Sequence, residues 1–267
     1  MSGPTAVRGA GSGSGTALEV SGLARSFGGV KAIDDLSFRV ETGHVYGVIG
    51  PNGAGKTTLI NLITGLYRPD RGTVRLFGQD VTGRTPEALA RAGLSRTFQN
   101  LQVCMNMTAL ENVMVGAHLR LDARLLAGML RLPGLRRADA ACRARAMELL
   151  SFVGIDGVAQ HLASDLSYGV LKRLEIARAM ASQPRLVLLD EPAAGLNHTE
   201  TAGIEQLIRR LTGEGATVLL VEHDMKLVMG VSDRLLVLHH GQHLASGTVQ
   251  AVRNDPRVIE AYLGAAA

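Results

Sequence analysis

The sequence lacks tryptophan, and aromatic residues of all kinds make up 3% of its 267 residues. Proteins that hold single-stranded nucleic acids commonly stack the bases on aromatic side chains. The net charge is +4, but the basic residues are scattered along the chain rather than clustered. A scattered positive charge without stacking side chains does not indicate a nucleic-acid partner, and we expect none.

Cysteine and long apolar runs are also scarce. Cys104 and Cys142 have no metal-ligand spacing, and so few thiols in a chain of this length are typical of a reduced, cytosolic protein. No segment approaches the roughly 20 apolar residues that a membrane-spanning helix needs. The Gly- and Ser-rich residues 1–16 lack the apolar core of a signal peptide and predict a flexible tail. We therefore expect a single domain over residues 17–267 that does not cross a bilayer.

What the chain does contain is an alternation of strand and helix patterns. Residues 18–27 and 33–40 alternate apolar and polar side chains, which predicts a hairpin-like pair of strands. Further strands are predicted at 45–49, 94–98, 186–189, 217–221 and 234–238, and helices at 57–66, from Pro86, at 171–180 and at about 200–211. This alternation predicts an α/β fold with a mostly parallel sheet. The helical spacing of residues 107–153 predicts a helical subdomain within about residues 100–180.

A glycine-rich loop follows the strand predicted at 45–49. The pattern G-x-x-x-x-G-K-S/T is matched by Gly50, Pro51, Asn52, Gly53, Ala54, Gly55, Lys56 and Thr57. In this pattern, glycines let backbone N–H groups curl around phosphate oxygens, and the following helix adds its positive end. Lys56 is expected to reach the β- and γ-phosphates, the Thr57 hydroxyl to bind Mg²⁺, and Thr58 to add a further donor. The loop therefore predicts a P-loop ATPase or GTPase.

A pair of carboxylates follows the apolar run at residues 186–189. Asp190 and Glu191 come directly after it and are followed by Pro192. Open α/β sheets bind ligands at the carboxyl ends of their strands. We expect Asp190 to hold Mg²⁺ through water and Glu191 to polarise the attacking water as a general base. The alternative is structural, because acidic residues often begin a helix.

The segment around Ser167 is more specific. Residues 166–170 are Leu-Ser-Tyr-Gly-Val, and with the helical pattern after them they resemble the signature sequence of ABC proteins, usually written LSGGQ. The resemblance implies that Ser167 and Gly169 contact the γ-phosphate of an ATP held by the opposite subunit. Val170 stands where the family has glutamine, but the two phosphate-contacting positions are intact. Without the family, the segment would be interpreted as an ordinary capped helix.

Four more positions match the ABC family pattern. The resemblance implies that Gln99, at the end of a strand at 97–98, senses Mg²⁺ and faces the membrane partner. It implies that His223 touches the γ-phosphate and that Phe27 packs against adenine. Asn197 lies in the expected dimer-facing loop, where many ABC proteins have aspartate; asparagine can hydrogen-bond there without adding charge. Taken singly, such residues are more often plain surface or core positions.

Longer phrases resemble the ATPases of branched-chain amino acid importers. They cover residues 96–99, 191–197, 222–230 and 261–264, together with an insertion near 119–138. The resemblance extends from about Leu18 to the C-terminus. It implies the P-loop NTPase fold of ABC ATPases, with a mostly parallel core sheet, an antiparallel β subdomain and a helical subdomain. The implied cofactors are ATP and Mg²⁺.

The resemblance also implies an assembly. Two ATPs would each lie between Lys56 of one subunit and Ser167 of a second ABC ATPase subunit, identical or related. The other expected partners are two membrane permeases and, indirectly, a periplasmic or extracellular solute-binding protein. The expected location is peripheral, on the cytoplasmic face of the inner membrane.

Three other functions remain open from the sequence. One is ATPase work for another ABC system that moves lipids or other solutes. The second is a soluble ABC ATPase that acts on nucleic acid or ribosomes. The single cassette and the lack of a Cys-x-x-Cys hook argue against it. The third is a nucleotide-binding module without turnover, against which stand Glu191 and His223.

Overall fold

The structure is a computed structural model that describes residues 15–117 and 133–263. The predicted tail lies almost wholly outside these ranges, and so does most of the insertion expected at 119–138. The strands are β1 (Thr16–Phe27), β2 (Val30–Glu41), β3 (Val45–Ile49), β4 (Arg71–Leu76), β5 (Gln79–Asp80), β6 (Leu94–Arg96), β7 (Leu186–Asp190), β8 (Thr217–Val221), β9 (Arg234–His239) and β10 (Gln242–Thr248). The helices are α1 (Lys56–Ile63), α2 (Pro86–Arg91), α3 (Ala109–Gly116), α4 (Pro133–Val153), α5 (Tyr168–Met180), α6 (His198–Gly213), α7 (Met225–Val231), α8 (Val249–Arg253) and α9 (Pro256–Leu263).

The strands form two sheets. The first has the order β2-β1-β4-β5 and is antiparallel throughout. The second has the order β10-β9-β3-β8-β7-β6, in which only the β10–β9 pair is antiparallel among the described strands. This architecture confirms the predicted fold class, a mostly parallel core sheet with an antiparallel β subdomain and a group of helices.

The core sheet is covered on both faces. Successive side chains of β7 point in opposite directions, as in any strand: Val187 and Leu189 enter one apolar cluster with α3, α4 and α5, while Leu186 and Leu188 enter another with β1, β2 and α1. Burial of both faces explains why β3, β7 and β8 are continuous apolar runs. Because these strands are parallel, their carboxyl ends lie at the same edge of the sheet, and the candidate site is located there.

Several predicted boundaries shift for local reasons. The strand predicted at 94–98 ends at Arg96, because the Phe98 N–H donates to the carboxylate of Glu175 at 3.0 Å instead of to a neighbouring strand. The prediction that Gln99 ends a strand at 97–98 is therefore wrong. The helix predicted at 57–66 ends at Ile63, and Gly65 follows with a φ of +75°, a conformation that favours glycine.

Among the described residues, the helices α3, α4 and α5 pack on one another. The stretch predicted as helical, 107–153, contains α3 and α4. The helix predicted at 171–180 begins earlier, at Tyr168, and the one predicted at about 200–211 extends from His198 to Gly213. In the ranges that the structure covers, no helix has both the length and the apolar character required to cross a bilayer.

Candidate functional site

The glycine-rich loop joins β3 to α1, as the sequence predicts. Gly53 and Gly55 have φ angles of +76° and +99°, a region that L side chains rarely adopt. A Cβ at Gly55 would also lie 2.6 Å from the carbonyl oxygen of Ala32. Gly55 is the N-cap of α1 and supplies no side-chain hydrogen bond. The first-turn N–H groups of α1 therefore have no side-chain cap, which is the arrangement that binds anions at a helix N-terminus.

The Lys56 side chain turns back over this loop. Its Nζ donates to the carbonyl oxygens of Gly50 at 2.6 Å and Pro51 at 3.0 Å. Lys56 is buried, and this burial lowers its pKa, while the negative charge of Glu191 acts in the opposite direction. The loop thus presents a partly desolvated ammonium beside uncapped amides, a combination suited to phosphate.

A cleft of about 480 Å³ opens beside the loop. It brings together most of the predicted site residues from separate parts of the chain. Those that line it are Asn52, Gly53, Ala54, Gly55, Lys56, Thr57, Thr58, Gln99, Glu191 and His223. Gly50 and Pro51 lie at the base of the loop through their contact with Lys56. The fold therefore brings Lys56 and Glu191, for which the sequence predicts roles at the same nucleotide, into one cleft.

Glu191 is held from several sides. Its backbone has a φ of +49° and its N–H donates to Val221 O at 2.8 Å. Glu191 Oε1 lies 2.7 Å from His223 Nε2, and Oε2 accepts a hydrogen bond from Gln99 Nε2 at 3.1 Å. A positive φ is costly for a residue with a Cβ and is often found at functional sites. Glu191 adopts this conformation where it lines the cleft.

Asp190 ends β7 and is buried. Its Oδ2 lies 2.9 Å from Arg96 Nη2. Nη1 of the same guanidinium donates to Asn61 Oδ1 on α1 at 2.8 Å and to Thr64 Oγ1, directly after α1, at 3.1 Å. Burial raises the pKa of Asp190, and the hydrogen bond and charge of Arg96 oppose that rise. Arg96 thereby fixes Asp190 relative to α1, a contact that the sequence did not predict.

Phe27 stands apart from the residues that line the cleft. It ends β1 and is 39% exposed, and its ring meets Tyr67 edge-on with centroids 5.2 Å apart. The Arg25 guanidinium lies 4.8 Å from the centre of the Phe27 ring. The cleft is instead lined on this side by Val30, Lys31 and Ala32 from the start of β2.

Ser167, Gly169 and Asn197 do not line the cleft of their own chain. Ser167 is the N-cap of α5, yet its side chain makes no capping hydrogen bond. A Cβ at Gly169 would clash with the carboxylate of Glu200. The Asn197 side chain accepts from Glu200 N at 3.0 Å, and Glu200 Oε2 accepts from Asn197 N–H at 3.0 Å. Asn197 therefore caps α6, a role that the sequence interpretation missed.

Further residues around the cleft were not predicted. His240 follows β9 with a φ of +47° and lines the cleft. Glu222 is buried; its Oε1 accepts from Ala193 N at 2.8 Å and its Oε2 from His223 N at 2.9 Å. Glu222 thus joins the loop after Glu191 to the loop that carries His223. The sequence offered one sign of this role, because Glu222 directly follows the apolar strand at 217–221 and precedes His223.

The fold and the cleft define an ATP-binding cassette. A family model described as "ABC transporter" matches residues 33–194, which is more than half of the chain, and the chain therefore belongs to the ABC transporter family. A second model, described as "Branched-chain amino acid ATP-binding cassette transporter", matches residues 242–267.

Relatives over nearly the full length narrow the family further. The chain is 46% identical over 250 residues to the high-affinity branched-chain amino acid transport ATP-binding protein BraF of Pseudomonas aeruginosa, covering 93% of this chain and 98% of BraF. It is 45% identical to LivG of Escherichia coli, which carries the same description, with the same coverage. The ADP conformation of the ATP-binding cassette MJ1267 is structurally similar, with a TM-score of 0.81, 32% identity and coverage of 93% of this chain and 99% of that one.

Proposed function

We propose that this chain is the ATP-hydrolysing subunit of an importer that takes up branched-chain or related amino acids through separate membrane subunits. The observation that carries the proposal is the single cleft in which Lys56, Gln99, Glu191 and His223 meet. The identity to BraF and LivG supports the substrate class. The membrane and solute-binding subunits, rather than this chain, would select the amino acid.

The nucleotide site follows from the cleft. The uncapped amides of α1, Lys56 and Thr58 bind the phosphates of ATP. Residues 50–55 form the backbone of this cradle, and Phe27, at the end of β1, packs against the adenine ring. The site lies between the loop and the carboxyl ends of the parallel strands, which agrees with ligand binding in open α/β sheets.

The candidate ligands for Mg²⁺ are the Thr57 hydroxyl, the Gln99 side-chain oxygen and the Asp190 carboxylate. All three are hard oxygen donors, the kind that Mg²⁺ prefers, and Asp190 is already held in place by Arg96 at 2.9 Å. The donor set therefore fits the ion. When bound, Mg²⁺ neutralises charge on the β- and γ-phosphates.

Hydrolysis needs a water that attacks the γ-phosphate. Glu191 accepts a proton from this water as a general base. Gln99 and His223 hold the two carboxylate oxygens, and His223 also contacts the γ-phosphate. Phosphoryl transfer depends mainly on positioning and charge stabilisation. Gln99 and His223 would therefore contribute by holding Glu191 in place for the attacking water.

The second half of each site comes from another subunit. Ser167 has a helix N-terminal position and a hydroxyl that does not cap its own helix, so it is free to contact a γ-phosphate with Gly169. Two subunits, identical or related, would bind two ATPs head to tail, with the loop around Asn197 at the interface. Residues 17–267 would form one ABC ATPase domain, with the helical part at about 100–180.

The complete assembly includes two membrane permeases. An external solute-binding protein acts indirectly, and nucleic acid is not a partner. The chain would lie peripherally on the cytoplasmic face of the inner membrane. This arrangement agrees with a cassette whose described part has no helix able to cross a bilayer.

Uptake into proteoliposomes tests this function. The chain, its partner ATPase and the permeases would be reconstituted with the solute-binding protein, and ATP-driven uptake of labelled leucine, isoleucine and valine compared with that of a labelled sugar. We expect uptake of the amino acids only, and none with Lys56→Ala. ATP hydrolysis without any amino acid uptake would contradict the substrate class, and unchanged uptake with Lys56→Ala would contradict the nucleotide site.

A further inference from the structure

Lys172 is among the most deeply buried side chains of the described chain. It lies on α5 and is 1% exposed. A buried ammonium is unfavourable unless it is hydrogen-bonded or paired with a charge. Its presence therefore calls for a specific partner.

Lys172 Nζ lies 5.7 Å from the centre of the Tyr168 ring, and its hydrogen-bond partners are two backbone carbonyls. Its Nζ donates to Gln99 O at 3.3 Å and to Glu191 O at 3.4 Å. The side chains of these two residues meet each other at 3.1 Å, from Gln99 Nε2 to Glu191 Oε2. Lys172 thus links the backbones of Gln99 and Glu191, two residues that line the cleft.

Glu175, one turn further along α5, holds the same segment. Its Oε1 accepts from Phe98 N–H at 3.0 Å, and it is buried. Burial raises the pKa of Glu175, and the nearby positive charge of Lys172 opposes this rise. Two side chains of α5 therefore hydrogen-bond to the backbone on either side of the Phe98–Gln99 peptide. Glu175 accepts from Phe98 N–H, and Lys172 donates to Gln99 O.

The same helix begins directly after Ser167. Ser167 and Lys172 are joined by little more than one turn of α-helix, which moves as a rigid element. In the proposed dimer the α5 N-terminus would face the partner's nucleotide, and a displacement there would be carried to Gln99 and Glu191 in the cleft of its own chain.

We propose that Lys172 is a positioning residue for hydrolysis, which sets the placement of Gln99 and Glu191 and couples it to the N-terminus of α5. This inference rests on the proposed function. It assigns Lys172 no contact with the nucleotide. Removing its ammonium should therefore slow turnover without weakening ATP binding.

The test compares Lys172→Met with Lys226→Met, a matched removal of an exposed lysine on α7. For each variant we would measure kcat, the Kd of a fluorescent ATP analogue, and hydrogen exchange of the peptide covering residues 97–103. Lys172→Met should lower kcat about 10- to 100-fold, keep Kd within about 3-fold, and speed exchange in that peptide. Lys226→Met should resemble the wild type in all three measurements.

A second variant guards against a folding defect. Lys172→Met with Glu175→Gln removes both buried charges but keeps an oxygen acceptor for Phe98 N–H, and it should show the same loss of kcat. A kcat within about 2-fold of wild type, a parallel loss of ATP affinity, unchanged exchange at 97–103, or loss of the fold in both variants would overturn the inference. Failure of the wild-type protein to hydrolyse ATP would instead count against the proposed function.

Discussion

Glu191 Oε1 lies 2.7 Å from His223 Nε2, although the two residues follow different strands, β7 and β8. The other carboxylate oxygen accepts from Gln99 Nε2 at 3.1 Å. The proposed general base is thus oriented by two loops. Glu222 joins the loop of His223 to that of Ala193, and Lys172 holds the loop of Gln99. Hydrolysis should depend on these contacts more strongly than ATP binding does.

His223→Ala tests that dependence. Loss of the imidazole removes the contact to Glu191 and the proposed contact to the γ-phosphate, so kcat should fall at least about 10²-fold while the Kd for ATP changes little. Steady-state hydrolysis and nucleotide titration would measure the two quantities. His243→Ala, an exposed position on β10 bonded to Ser246, is the matched control. A kcat equal to that of the wild type in His223→Ala would show that His223 takes no part in hydrolysis.

Ser167→Arg tests the contribution of the second subunit. The arginine would block the N-terminus of α5 without touching the cleft of its own chain, so ATP binding should persist. Hydrolysis per molecule should rise with protein concentration in the wild type, as expected for a site that two subunits complete, and should stay low in the variant. Ser151→Arg, an exposed change on α4, should leave the concentration dependence intact. If Ser167→Arg behaves in the same way as this control, the shared site is refuted.

Glu175→Gln tests the buried carboxylate through pH. Burial raises the pKa of Glu175 above its ordinary value of 4.5, while hydrogen bonds from Phe98 and Gln102 and the Lys172 charge oppose the rise. A raised folded-state pKa means that the carboxyl stabilises the fold fully below pH 4.5 and that this contribution is lost as the pH rises through the folded value. The free energy of unfolding of Glu175→Gln should therefore gain on that of the wild type as the pH rises above 4.5. Urea titrations at several pH values would measure it, and a gap that narrows with rising pH would contradict the direction.

The buried parallel strands were the most predictable part of the fold. Residues 217–221 were predicted as a strand, and β8 spans Thr217–Val221, because a strand buried on both faces is a short apolar run with clear ends. By contrast, β4 and β10 were not predicted. Only two positions of β4 and one of β10 are buried, so their patterns carry little apolar periodicity.

The site was predictable where its residues are contiguous. The glycine-rich loop and the Asp190–Glu191 pair are local patterns, and the fold brings Lys56 and Glu191 to one cleft. Long-range contacts gave no such signal: Arg96 and Asp190 are 94 positions apart in sequence, and nothing in the helical pattern of α5 marks Lys172 as buried. The positive φ of Glu191 likewise depends on the surrounding fold.

Glu191→Gln gives the most direct test of the central claim that the carboxylate beside Lys56 activates the attacking water. Glutamine keeps the size of the side chain and one oxygen acceptor, but it cannot take up the proton. Single-turnover hydrolysis of ATP, measured with saturating enzyme alongside the Kd for ATP, should show a rate at least about 10²-fold below wild type and a Kd within about 3-fold. Hydrolysis at the wild-type rate would contradict the account.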